Sequence, residues 1–224
     1  MNRRLKAIDE RIRDGCGVVD VGTDHGILPV HLVQRGYQGH IYASDINPGP
    51  LDAAKRSAAL AGVSSRITFL LCDGLALCPP DDVDTIVIAG MGGDMIVKIL
   101  DEAEWCMHPR YHFILQPMTR AEVLRYWLVH NEFEIHSEIV AKDENRLYQI
   151  LTAHFGGKTI LNDAELFCGK RSLAADDALW LSSLMFQKAR IEKALVGMET
   201  AGNKEKASLY QEVIRQMEEL RGDL

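Results

Sequence analysis

Residues 18–26 read VVDVGTDHG. Val18–Val21 has the pattern of a short buried strand, and Gly22 ends it. The turn that follows holds Asp24 and His25 between Gly22 and Gly26. Reversing the chain needs neither a carboxylate nor an imidazole. Each side chain therefore either caps the next helix or faces a ligand resting on the turn.

Outward from this stretch, short apolar runs recur at Ile41–Ser44, Ile67–Leu71, Thr85–Ala89 and Phe113–Gln116. Between them lie segments of period near 3.6, such as Pro50–Ala61, Gly93–Leu100 and Arg120–His130. Alternation of this kind predicts a parallel α/β sheet, Rossmann-like, with helices on both faces. Phe133–Val140 and Leu147–Phe155 then read as an antiparallel hairpin closing the sheet. Gly156 and Gly157 mark a boundary, giving a first domain over 1–157 and a second unit over 158–224. In the second unit Leu181, Leu184, Lys188, Ile191, Leu195 and Met198 step by three and four, and Leu209, Val213, Met217 and Leu220 form another stripe. TAGNK at 200–204 separates them, so a helical coiled-coil hairpin is expected.

The bulk numbers bound the function. A chain of 224 residues, 47% apolar, can bury a full core. The first fourteen residues lack the apolar middle of an export signal, and no run approaches a membrane span, so a cytoplasmic protein is expected. Five scattered cysteines suit a reducing compartment. The net charge of −7 argues against uniform coating of nucleic acid. Any such contact must use a local patch, either around Arg4 and Arg11 or around Lys188, Arg190 and Lys193. Both patches also read as ordinary solvated helix faces. His108 and His112 have i,i+4 spacing, but Pro109 interrupts any helix there and no metal site is expected. GGKT at 156–159 lacks the earlier glycine of a phosphate loop and reads as linker.

Ligands of a doubly wound sheet bind at the carboxyl ends of its strands. Those ends carry Gly22 to Gly26, then Asp45, Asp73, Gly90 to Gly93, and Gln116 with Pro117. Asp45 lies 23 residues past Gly22, near the spacing of an acid that binds ribose hydroxyls. The glycine loop is not G-x-G-x-x-G. Thr23 and Asp24 stand where a dinucleotide site wants glycine, and Asp24 would repel a pyrophosphate. S-adenosylmethionine (SAM) suits the turn better, having a ribose, an adenine and a sulfonium but no phosphate. An NAD(P) oxidoreductase is the alternative that this argument disfavours. A scaffold protein with an unused pocket is a third reading, opposed by the intact Asp45, Asp73 and glycine loop.

Taken together, DVGTDHGILP, ASDINPGPLDAAK, CDGL, IAGMGG and ILQP resemble the bacterial tRNA (adenine-22-N1)-methyltransferase family, the TrmK-like proteins. The resemblance spans residues 3–155 closely and the helical tail in kind. It implies a class I SAM-dependent methyltransferase domain with a C-terminal coiled-coil hairpin, acting on N1 of an adenine in tRNA. By motif it makes Gly22, Asp45 and Asp73 cofactor residues, with Asp20, Thr23, Ile46, Asn47, Gly74, Gly90 and Met91 completing the cofactor set. Asp24 and His25 become the catalytic candidates, Asp24 stabilising charge on the methylated base and His25 a weaker candidate for the amine proton. Gly92, Gly93, Gln116 and Pro117 are expected to meet the base, and Arg4, Arg11, Lys188 and Lys193 the tRNA body. The chain is expected to act as a monomer. Another RNA or a small molecule remains an alternative substrate. The fourth-strand tip Ala89 to Gly93 lacks the Pro-Pro-aromatic signature of amino-group adenine methylation. Neither Cys72 nor Cys78 follows proline, which disfavours covalent cytosine chemistry.

Overall fold

The computed structural model describes residues 1–222. Seven strands form one sheet in the order β3-β2-β1-β4-β5-β7-β6. These are β1 (Val18–Val21), β2 (Ile41–Asp45), β3 (Ile67–Leu71), β4 (Thr85–Gly92), β5 (His112–Thr119), β6 (Phe133–Asp143) and β7 (Arg146–Phe155). The first five run parallel, and β7 pairs antiparallel with both β5 and β6. The helices of this part are α1 (Arg3–Asp9), α2 (Ile27–Gln34), α3 (Pro48–Leu60), α4 (Gly93–Asp101) and α5 (Ala121–His130). Strands β1 and β2 are buried along their whole length, as strands covered on both faces must be. Ile8, Leu28, Leu32 and Ala58 bring α1, α2 and α3 onto one face, against Val18 and Ile114. Ile96, Leu100, Leu124 and Leu128 bring α4 and α5 onto the other, against Ile86 and Phe113. The chain order reverses between β1 and β4, so a crevice opens at their carboxyl ends.

Two strands run further than their apolar patterns suggest. Strand β4 continues to Gly92 and β5 to Thr119, because Met91 pairs with Pro117 and Gly92 with Thr119 across a bulge. The glycines expected in a loop are thus held in the sheet. Strands β6 and β7 likewise extend to a two-residue turn, with Glu144 at φ 51°.

The remaining helices are α6 (Asp163–Cys168), α7 (Asp177–Thr200) and α8 (Lys204–Gly222). The short α6 has no periodic signal, yet Asn162 and Glu165 build a capping box at its start. Helices α7 and α8 form the expected hairpin, turning at Gly202 with φ 72°. Its seam differs from the sequence expectation. Trp180, Ser183, Leu184, Gln187 and Ile191 are the buried α7 positions, and Ala207, Val213 and Met217 those of α8. Trp180 donates its indole N–H to the Gly169 carbonyl at 3.0 Å, which rotates α7 toward α6. Lys188 consequently sits at the seam's flank, and Leu209 is exposed. Ala164, Cys168, Trp180, Leu184, Ile191, Val213 and Met217 make a core of their own, apart from the two cores of the sheet.

This unit is fastened to the sheet by polar groups. Arg125 of α5 is fully buried and pairs with Glu138 of β6 at 2.6 Å. The same guanidinium donates to the carbonyls of Leu166 at 2.8 Å and Phe167 at 3.3 Å on α6. Gln149 of β7 donates to Ser183 of α7 at 3.0 Å. Gly169 closes the contact at φ 81°, where an added Cβ would collide with the Glu138 carboxylate.

Candidate active site

A cleft of about 420 Å³ lies over the carboxyl ends of β1 to β4. Gly22, Asp45, Ile46, Asn47, Asp73, Gly74, Gly90 and Met91, all expected from the sequence, line it. Asp45 is buried and held in one orientation. Its Oδ1 accepts from the Asn47 backbone N–H at 2.9 Å and its Oδ2 from the Asp24 N–H at 3.4 Å. Each carboxylate oxygen has two acceptor sites, so each retains one for a hydroxyl in the cleft. Gly22 sits at φ 71°, a conformation strained for other residues, and the Met91 methyl lies over it. Gly74 is similarly covered by Ile99.

A smaller cleft of about 180 Å³ adjoins the first and shares Gly22, Asp24 and Gly90 with it. Asp20, Thr23 and His25 face this second space rather than the main cleft. Asp24 stands at their junction. It is not a helix cap, since α2 takes Gly26 as its N-cap and uses no side-chain cap bond. Its backbone is left-handed at φ 52°, and its side chain is 69% exposed. The turn thus aims a solvated carboxylate into the space that links the two clefts. His25 lies against it, with Nε2 3.7 Å from Asp24 Oδ1.

Asp20 is the buried acid of the site. The Thr23 hydroxyl donates to its Oδ2 at 2.8 Å and ties the turn to β1. Burial pushes its carboxyl up to about 6, against the opposing pull of Thr23 and Arg4 and with help from Asp45. Elsewhere in the sheet, burial drives the His112 imidazole down to about 4, and the charges of Arg13 and His136 act the same way. These two groups oppose one another in stability. Asp20 favours the fold below its ordinary value near 3.8, and that contribution is lost as pH rises through about 6. His112 favours the fold above 6.5, and that contribution is lost as pH falls through about 4. Each shift corresponds to about 3 kcal/mol at 1.36 kcal/mol per unit. Relative to wild type, Asp20→Asn should therefore lose stability between pH 6.5 and 4, and His112→Gln should gain it. Urea unfolding at the two pH values checks both signs. Parallel pH curves for all three proteins would rule the assignment out.

Several residues lie where sequence spacing does not reveal. Arg4 of α1 reaches across to β5 and donates to Gln116 Oε1 at 2.7 Å, with its guanidinium 5.7 Å from the Tyr148 ring centre. It lines the smaller cleft. Gln116 is fully buried, and its amide also donates to the Pro117 carbonyl at 2.9 Å. Expected to meet the substrate, it lies beneath Arg4 and lines neither cleft. Gly93 is buried against the Arg120 carbonyl, where a Cβ would collide, and Gly92 lies beside Thr119. Neither glycine lines the two clefts, and neither does Pro117, which borders a separate crevice. Arg11 folds back on its own helix, donating to the Ala7 carbonyl at 2.6 Å. Lys188 is held by Glu218 at 2.8 Å and Glu192 at 3.2 Å, so it clamps the hairpin. Lys193 is exposed on α7. Met95, Lys98 and Ile99 of α4 complete the main cleft, with Lys98 3.8 Å from Asp73. The available signal for these three was the start of α4 at Gly93, directly after β4, which turns its first two turns toward the cleft.

Among the described residues, no three metal-ligating side chains converge, and no helix is long and apolar enough to cross a membrane.

Comparison with known proteins gives a consistent picture. The family profile described as a methyltransferase domain matches residues 1–151. The chain is 28% identical to the tRNA (adenine(22)-N(1))-methyltransferase of Bacillus subtilis, over 92% of this chain and 90% of that protein. It superposes on the crystal structure of the B. subtilis m1A22 tRNA methyltransferase TrmK with a TM-score of 0.86, at 26% identity over 98% and 97% of the two chains. A putative tRNA (m1A22) methyltransferase of Streptococcus pneumoniae, solved in complex with S-adenosyl-L-methionine, matches at a TM-score of 0.80 and 28% identity, covering 96% and 99%.

Proposed function

The chain belongs to the methyltransferase-domain family, and from that premise we propose that it transfers a methyl group from SAM to N1 of an adenine in tRNA, at the position 22 named for its relatives. The observation that carries the cofactor assignment is the left-handed Asp24 at the mouth of the glycine turn. A diphosphate seated there would meet a carboxylate, whereas a sulfonium is attracted to it. The cleft of about 420 Å³ and the spare acceptor sites on Asp45 suit the nucleoside part. This argues against the dinucleotide alternative. We read residues 1–157 as the catalytic domain and 158–224 as a helical unit docked on it, in a cytoplasmic protein that acts as a monomer.

Bound in the main cleft, SAM supplies an electrophilic methyl group on a positively charged sulfur. Asp45 receives ribose hydroxyls, and Asp73, half-exposed at the far end, receives the adenine amine. Met91 and Ile46 flank the ligand with apolar surface. The acceptor adenine enters from the side of the smaller cleft. Its N1 lies on the pairing edge, so the base must be unpaired or extruded. N1 carries an in-plane lone pair and needs no activation, so positioning supplies much of the rate, about 7–11 kcal/mol in well-oriented systems. Methylation leaves the base positively charged, the charge reaching its exocyclic amine. Asp24 stabilises that charge as it forms.

Asparagine tolerates left-handed backbone, so Asp24→Asn removes the charge and keeps the turn. It should lower kcat about tenfold, a modest figure because the carboxylate is solvated, with SAM affinity nearly unchanged. Methyl transfer from labelled SAM to unmodified tRNA transcript, followed by mass mapping of the methylated nucleoside, tests the activity and this role together. Label on a nucleoside other than 1-methyladenosine would refute the proposed acceptor.

A further inference from the structure

A crevice separates the tip of β5 from α7, with a narrow interior of about 60 Å³. One wall is Met118, Thr119 and Arg120, and the other is Phe186 and Arg190, with Gln149 at the base. Two arginines line it and no carboxylate does, in a chain whose net charge is −7. Arg120 is held in left-handed backbone at φ 54° and paired with Asp94 at 2.9 Å and Glu122 at 4.0 Å, so it shapes the wall and Arg190 carries the charge left for a ligand. Arg190 donates to Gln187 Oε1 at 2.7 Å, and Gln187 is itself nearly buried. Both cations are thus steadied by neighbours. Phe186 is 54% exposed. An exposed phenyl ring beside fixed guanidinium groups is the combination that takes a nucleotide, ring on base and cation on phosphate.

The crevice is mechanically joined to the reaction site. Gly92 packs on Thr119, and Gly93 on the Arg120 carbonyl. The same β4 tip carries Gly90, which lines both clefts of the active site. The β5 tip that walls the crevice is thus packed on the β4 tip that borders both clefts. We propose that the mouth of this crevice receives the nucleotide next to the target adenine, with its base stacked on the exposed Phe186 and its phosphate bound by Arg190. This rests on the reading of the protein as a tRNA methyltransferase. It gives the docking of the helical unit through Arg125 and Gln149 a purpose, since one wall of the crevice belongs to α7.

The test uses the full chain and a tRNA transcript. Phe186→Ala combined with Arg190→Ala should raise the tRNA KM about tenfold or more, while kcat and the SAM Kd stay within twofold. Phe186→Tyr, which keeps the stacking face, should behave as wild type. The salt dependence of tRNA binding should flatten by about 0.7 in slope for one lost single-strand phosphate contact. A direct readout comes from 2-aminopurine placed on either side of the target adenine. One of the two positions should be quenched by wild type and remain bright with Phe186→Ala. Unchanged KM and identical quenching would overturn the proposal, and so would an equal loss of SAM binding, which marks a merely structural effect. If wild type transfers no methyl to tRNA, the activity assignment fails by itself. Fluorescence anisotropy of the same labelled RNA then still decides whether the crevice binds nucleotide.

Discussion

Arg125→Met is expected to destabilise the folded protein by about 3–5 kcal/mol, the usual consequence of stripping one partner from a buried ion pair. Arg125 is fully buried, and Glu138 beside it is nearly so. Removing the guanidinium leaves a carboxylate with no counter-charge in the interior. It also strips the Leu166 carbonyl of this donor and leaves the Phe167 carbonyl to Gln149, which donates to it at 3.2 Å. Those two carbonyls belong to the end of α6, so the loss should be felt first where the helical unit meets the sheet. Chemical unfolding gives the magnitude, and limited proteolysis around residues 156–162 reports the loosened junction. The double variant Arg125→Met/Glu138→Leu removes both charges and should recover much of the loss, because a buried pair contributes little net over an apolar replacement. A single-variant loss below about 1 kcal/mol, or a double variant no better than the single, would mean that the pair is not the fastening described.

Asp45→Ala should reduce SAM affinity about a hundredfold. A hydrogen bond to a charged acceptor is worth about 1.5–3 kcal/mol, and this carboxylate is proposed to receive two ribose hydroxyls. It also accepts the backbone N–H groups of Asp24 and Asn47. Its removal therefore frees both the glycine turn and the start of α3. Asp73→Ala should cost less, about tenfold, because Asp73 is half-exposed and shares Lys98. Calorimetric titration with SAM separates the two. An Asp45→Ala protein that binds within threefold of wild type would show that the ribose lies elsewhere.

Most of the main cleft's lining was legible because its residues occupy strand ends. Apolar runs locate the strands, and the polar residue after each run falls at the sheet's carboxyl edge wherever the strand sits in the sheet. Gly22, Asp45, Asp73 and Gly90 needed no further information. The substrate side was much less legible. Gln116 ends its apolar run as the others do, yet β5 continues through it to Thr119. There it pairs beside Ala89, is buried, and accepts from Arg4, 112 residues earlier. Lys188 stands in a basic run but is consumed by Glu218, 30 residues later on the antiparallel helix. Sequence charge marks a cation without showing whether a carboxylate already holds it.

The sequence by itself determined the alternation of elements, the approximate ends of the strands, the break before the helical unit, and the acid in the glycine turn that suits a sulfonium better than a diphosphate. Those properties arise from periodicity and turn chemistry within a few neighbouring residues. Only the tertiary structure decided that Asp24 caps no helix, that Arg4 enters the site, that Trp180 sets the face of α7, and that Arg120 and Phe186 stand across one crevice. The first turns on the left-handed backbone of the glycine turn, and the others depend on distances between residues apart in the chain, which exist only after the layers have packed.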